Sequence, residues 1–118
     1  MIGGVMRSHL KVFKALGDKN RLRIVKMLEV KPMCVCEITA VLNLAPSTVS
    51  KHLSLLHEAG LTEDHKEGKW VNYALARKSK DSFISKMLFL LQSTLEDEPG
   101  ILADKKTAGE ADRIKICG

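Results

Sequence analysis

Cys34-Val35-Cys36-Glu37 sets two thiols one residue apart, directly before a stretch with helical spacing. Thiolates are soft donors, and protein geometry selects among the soft ions they bind. Residues i and i+2 of a regular helix point to nearly opposite sides. Both sulfurs reach one ion only where the helix start is unwound or absent, so capture of an ion would distort whatever follows. The alternative is that one or both cysteines pack as small buried hydrophobes. The remaining thiol is Cys117, close to the C-terminus. An odd count with an i, i+2 pair makes a poor structural disulfide, and in a reducing compartment it points to metal or redox chemistry.

The segment after the thiols, Ile38 to Leu53, reads as helix, turn, helix. The first of these runs from about Cys36 to Leu42, with Ile38, Val41 and Leu42 facing inward. Asn43-Leu44-Ala45 forms the turn, and Pro46 suits the first position of the next helix, where its missing N–H costs nothing. That helix continues to about Ala59 and Gly60 ends it. Val49, Leu53 and Leu56 lie at i, i+4 and i+7 and pack inward. Its other face carries Ser47, Thr48, Ser50 and Lys51, short polar and cationic groups placed to meet base edges and phosphates in a DNA major groove. His52 is within reach of a phosphate or of its own domain. Upstream, a short helix over His9–Leu16 has Leu10, Phe13 and Leu16 in a row. Asp18 is an N-cap for a helix over about Lys19 to Val30. Downstream, Leu61–Lys66 and Trp70–Leu75 alternate as two strands around Glu67-Gly68-Lys69. Lys69 at this hairpin's tip is a minor-groove or phosphate contact in one reading and a solvated turn lysine in the other. Ser79–Leu95 is a long amphipathic helix with Phe83, Ile84, Met87, Leu88, Leu91 and Leu95 on one broad face. The fold class is therefore mainly α with a small β-hairpin. Residues 1–97 form the compact domain, and residues 98–118 are expected to be a flexible tail carrying Cys117.

Composition narrows the function. A chain of 118 residues is one domain, and its 4% aromatic content calls for an aliphatic core. The net charge of +5 resides in residues 1–60, which hold nine Lys/Arg against four Asp/Glu; residues 61–118 hold ten of each sign. A basic surplus in the half with the reading helices would attract DNA phosphates through counterion release, although charge alone is better read as a merely basic, soluble surface. No apolar run approaches the length needed to cross a bilayer, and no secretion signal opens the chain, so a cytoplasmic protein without a membrane partner is expected. There is no phosphate loop, no nucleophile with an evident base and no pair of carboxylates in an apolar setting. An enzyme is not expected.

These motifs carry a family resemblance. Ala15-Leu16-Gly17-Asp18-Lys19-Asn20-Arg21-Leu22-Arg23-Ile24 resembles the opening signature of the ArsR–SmtB family of bacterial metal-responsive repressors. Cys34 to Glu37 resembles that family's thiol box. Ser47 to Leu53 with Glu58-Ala59-Gly60-Leu61 resembles its recognition helix and exit, and Gly68 to Leu75 its wing. The resemblance spans Leu10 to Leu75 and departs at Ala45, where the family usually has a hydroxyl. It implies a winged helix-turn-helix dimerising through its first and last helices. It also implies a homodimeric repressor bound to double-stranded, palindromic operator DNA and released by an inducer. The arsenic sensors of the family hold As(III) with three thiolates, often using a third cysteine one turn beyond the box, where this chain has Thr39. The third ligand is then Cys117, a small cellular thiol, or another donor such as His9 from a partner subunit. Arsenite is the inducer this implies; Cd(II) and Pb(II) accept the same sulfurs and stay open. So does a thiol-redox sensor of the same fold, with Cys117 as resolving thiol to Cys36. The family's zinc and nickel sensors place histidines on the last helix, and Ser79–Leu95 has none.

Overall fold

Val49, Leu53 and Leu56 are all buried, as their spacing requires, and the helix they define is the one around which its neighbours are arranged. The computed structural model describes residues 3–117, Cys117 by its backbone alone. In chain order the elements are α1 (Gly4–Leu16), α2 (Lys19–Leu28), α3 (Val35–Leu42), α4 (Pro46–Glu58), β1 (Thr62–Glu67), β2 (Trp70–Leu75), α5 (Ser82–Gln92), α6 (Pro99–Glu110) and α7 (Arg113–Cys117). Side chains from α2, α3, α4 and α5 meet in one aliphatic core that includes Ile24, Leu28, Ile38, Leu42, Ile84 and Leu88.

Local chemistry sets the boundaries. The Asp18 carboxylate accepts the N–H groups of Asn20 (2.9 Å) and Arg21 (3.0 Å), two of the otherwise unpaired donors at the start of α2. Asn43 takes a left-handed conformation, φ 55°, and so breaks α3 and turns the chain into α4. Pro46 opens α4, and Ala45 offers no side-chain cap there. β1 and β2 pair antiparallel with Glu67 opposite Trp70, leaving Gly68 and Lys69 as the turn. Gly68 has φ 61°, the positive value that such a tight hairpin requires. Met33, just before the thiols, pairs with Tyr73 of β2 through both backbone hydrogen bonds, 3.0 and 2.8 Å.

The structure departs from the sequence-based expectation in three places. α1 begins at Gly4 rather than His9, and it buries Val12 and Ala15; Leu10 and Phe13 are about half exposed. The long helix expected over Ser79–Leu95 is shorter, capped by the Asp81 carboxylate on the Phe83 N–H, and Leu95 lies beyond it at φ 61°. Instead of a flexible tail after residue 97, the chain forms α6, which packs against α2. Pro99 starts this helix, and Ile101, Asp104 and Ala108 form its buried face. Asp104 accepts two hydrogen bonds from the Arg23 guanidinium, at 2.8 and 3.0 Å, and this partnership holds Arg23 even more firmly protonated than an ordinary arginine. The short α7 then packs on α3.

Candidate functional site

The two thiols of the box occupy different environments. Cys34 stands outside the helix, as the N-cap of α3 with extended backbone, and its side chain is buried at 2% exposure. Cys36 lies in the first turn of α3 and is exposed. The sulfur of Cys34 faces the Glu37 N–H, and Glu37 returns its carboxylate to the Cys34 N–H at 3.1 Å: a capping box with sulfur in place of the usual hydroxyl. Burial pushes the Cys34 thiol above the ordinary thiol range, while the Glu37 N–H opposes that rise. Glu37 is itself buried and reaches Lys31 Nζ at 3.6 Å.

With one sulfur inside the capping box and the other in solvent, the pair meets a single ion only after the first turn of α3 opens or Cys34 leaves its cap. Such a rearrangement is inexpensive. Losing an N-cap typically costs about 1 kcal/mol, whereas a metal–thiolate site can supply on the order of 10 kcal/mol. The donor set suits a thiophilic ion, but the box offers two donors. Among the described residues, no group of three His, Cys, Asp or Glu side chains stands ready to hold a metal ion. Thr39, one turn on, spends its hydroxyl on the carbonyls of Val35 and Cys36. The Cys117 side chain lies outside the described residues; the backbone of α7 that carries it packs against α3, the helix of Cys36. His9 stacks on Phe83 with ring centroids 3.8 Å apart, remote in role from the thiols.

α4 buries and exposes the faces that its residue spacing requires. Ser47, Thr48, Ser50 and Lys51 are exposed along α4, opposite its buried stripe. His52 is different: its Nδ1 faces the Arg21 guanidinium at 3.2 Å and Asp18 at 4.0 Å, so it ties α4 to the start of α2. Its side chain is 14% exposed, which places it within its own domain. Asp18 is held below the usual carboxylate range, first by the Arg21 N–H, with the Arg21 and His52 side chains adding to the effect. Lys69 is exposed at the hairpin tip and lies 4.9 Å from the Trp70 ring. Two features were not anticipated from the sequence. Lys26 is fully buried, with its ammonium donating to the Leu91 carbonyl and to Glu29 at 3.0 Å. Arg113 of α7 grips the wing. Only the Lys26–Glu29 pair, at i and i+3, is local; Leu91 and the Arg113 partners Asn72 and Glu67 lie far away along the chain, which is why neither feature was read from the sequence.

The α2–α3–α4 arrangement with its hairpin is a winged helix-turn-helix. Residues 18–64 match the family described as "Bacterial regulatory protein, arsR family". The arsenic resistance transcriptional regulator ArsR2 of Pseudomonas putida is 33% identical over 112 residues, 90% of this chain and 94% of that protein. The arsenical resistance operon repressor of Escherichia coli K12 is 44% identical over 68 residues, 57% of this chain and 58% of that protein. A cadmium resistance transcriptional regulatory protein CadC homolog of Staphylococcus aureus is 41% identical over 66 residues, 55% of this chain and 54% of that protein. The chain thus spans between half and two thirds of the latter two. Among solved structures, HlyU of Vibrio cholerae superposes with a TM-score of 0.63 at 29% identity, over 76% of this chain and 94% of that one. The homodimeric winged helix-turn-helix DNA-binding domain Mb0332 of Mycobacterium bovis gives 0.67 over 84% and 94%; at 24% identity it speaks for the fold alone. The chain belongs to the arsR family of bacterial regulatory proteins. That is a family of transcriptional regulators, not of enzymes.

Proposed function

We propose that this protein is a cytoplasmic, homodimeric transcriptional repressor that leaves its operator when arsenite, or a related thiophilic ion, binds Cys34 and Cys36. The observation that carries the reading is the position of the thiols. They form the cap and first turn of α3, the helix that packs on the DNA-reading helix α4. Ser47, Thr48, Ser50 and Lys51 on α4, with Lys69 on the wing, meet the DNA; His52 holds α4 in place from within. Arsenite reaches the site as neutral trihydroxyarsenic. Each thiol replaces one hydroxide, an arsenic–sulfur bond forms, and the thiol proton leaves with the hydroxide as water. The third sulfur is Cys117, in keeping with the docking of α7 on α3. Opening the α3 cap shifts α4, and the coupling is the free-energy difference between the two dimer states, about 5–150-fold in operator affinity for a typical allosteric protein.

Cys34→Ser and Cys36→Ser test the reading. Serine preserves size and, at position 34, a capping atom, but it lacks thiolate softness. Both variants should bind operator like the parent and keep that grip in arsenite. Release by arsenite from either variant at the parental concentration would refute the thiol-box mechanism. Cd(II) as inducer is the second reading, favoured by the relatives named for cadmium resistance; Pb(II) would use the same sulfurs.

A further inference from the structure

We propose that Arg113 is a positioning residue for the wing, and that α7 carries the state of the thiol segment to it; this rests on the reading of the thiols given above. The route is a continuous set of contacts. The Cys34 N–H donates to Glu37 at 3.1 Å, and the other Glu37 oxygen faces Lys31 Nζ at 3.6 Å. Lys31 Nζ donates to the Ala111 carbonyl at 2.7 Å, at the junction of α6 and α7. Two residues on, Arg113 donates to Asn72 Oδ1 at 2.7 Å and to Glu67 Oε1 at 2.6 Å, and its guanidinium lies 4.5 Å from the Trp70 ring centre. Asn72 Nδ2 closes the group on Glu67 at 2.6 Å. One arginine thereby holds both strands of the wing next to the turn that carries Lys69. The hairpin's inner end is fixed separately, by the Met33–Tyr73 pair one residue before Cys34.

Each contact shares a residue or a short stretch of backbone with the next. If Cys34 turns its sulfur to an ion and its backbone shifts with it, the Cys34 N–H leaves the Glu37 carboxylate, which is then free to reorient. Lys31 then has a changed partner on one side and the Ala111 carbonyl on the other. Recruitment of Cys117 would pull on α7 directly, since Arg113 and Cys117 lie on the same short helix. Either way the guanidinium moves relative to Trp70, and the wing loses the group that fixes its angle to α4.

Trp70 is the sole tryptophan of the chain and therefore reports on the clamp. The full-length protein is titrated with arsenite while the thiolate–arsenic absorption band and the tryptophan emission are read together, for the parent and for Arg113→Ala. Circular dichroism verifies that the variant keeps its helical content. In the parent, emission should shift as the band grows. Arg113→Ala should show shifted emission before any arsenite is added, form the same band, and change emission no further. Its arsenite-dependent loss of operator affinity should shrink severalfold. If the band grows while parental emission stays constant, the relay is wrong and the thiol reading stands. If no band grows, the thiol reading fails and the relay falls with it. Equal emission from ligand-free parent and Arg113→Ala would show that the clamp does not hold in solution, which also overturns the proposal.

Discussion

Cys34 caps α3, and in the proposed function the same side chain is also an ion ligand. As an N-cap it supplies a weak acceptor where serine or aspartate would supply a strong one, and burial makes it hold its proton more tightly than an ordinary thiol. That proton separates the inducer candidates. Cd(II) must displace one proton per thiol, so its affinity should rise about tenfold per pH unit for each protonated thiol it uses. The rise ends as pH passes the thiol's own pKa, and burial moves that end point upward for Cys34. Trihydroxyarsenic binding releases water and no net proton, so its affinity should be nearly flat between about pH 6 and 8, below the ordinary thiol pKa. Binding measured across that range for both ions checks this. A flat Cd(II) profile would mean that the thiols are already ionised or do not bind it. His52 teaches the complementary lesson. Its sequence position left open whether it meets phosphate or its own domain, and only the approach of Asp18 and Arg21 from α2 decides for the domain.

At the scale of elements, the helix-turn-helix was legible because its signals are local and redundant. Pro46 opens α4, Val49, Leu53 and Leu56 repeat at helical spacing, and each agrees with the next. α6 was not legible. Its packing face has only Ile101 and Ala108 as apolar contacts, and its anchor joins Asp104 to an arginine 81 residues away. Pro99 is a start signal of the same kind as Pro46, but it follows the acidic run Glu96-Asp97-Glu98, a composition that equally suits the solvated end of a domain. The same distance effect hid the Arg113 clamp. The docking of α6 is testable. Ile101 is 5% exposed, and Ile101→Ala should cost at least about 2 kcal/mol, the lower end for a buried isoleucine. Chemical denaturation measures it. A loss near zero would restore the picture of a flexible tail.

For the molecule as a whole, the unexplained surface is apolar. Val5, Met6, Leu10 and Phe13 on α1 and Phe89 and Leu90 on α5 are between 47% and 77% exposed. His9 stacks on Phe83 and Phe13 meets it edge-on, so α1 touches the start of α5. An exposed apolar area of this kind marks an interaction site, and a second copy of the chain fits the proposed homodimer. Leu88, on the apolar stripe of α5, is buried in the subunit's own core, whereas Phe89 faces out at 77% exposure. Phe89→Glu should therefore yield a folded monomer by light scattering with an unchanged helical spectrum. A stable dimer would exclude this face as the interface.

The two sulfurs of the box cannot react at the same speed. Cys36 is open to solvent, while Cys34 is 2% exposed behind its cap. An ion would therefore land first on Cys36, at a rate proportional to its concentration, and then wait for the first turn of α3 to open. The second step is a property of the protein and does not depend on how much ion is present. Stopped-flow absorbance should show a fast phase that scales with arsenite and a slower phase that saturates. A single phase linear in arsenite would contradict this order. The buried thiol would then act as a delay: brief exposure to the ion would be forgotten before α3 opens, and only a sustained dose would be registered.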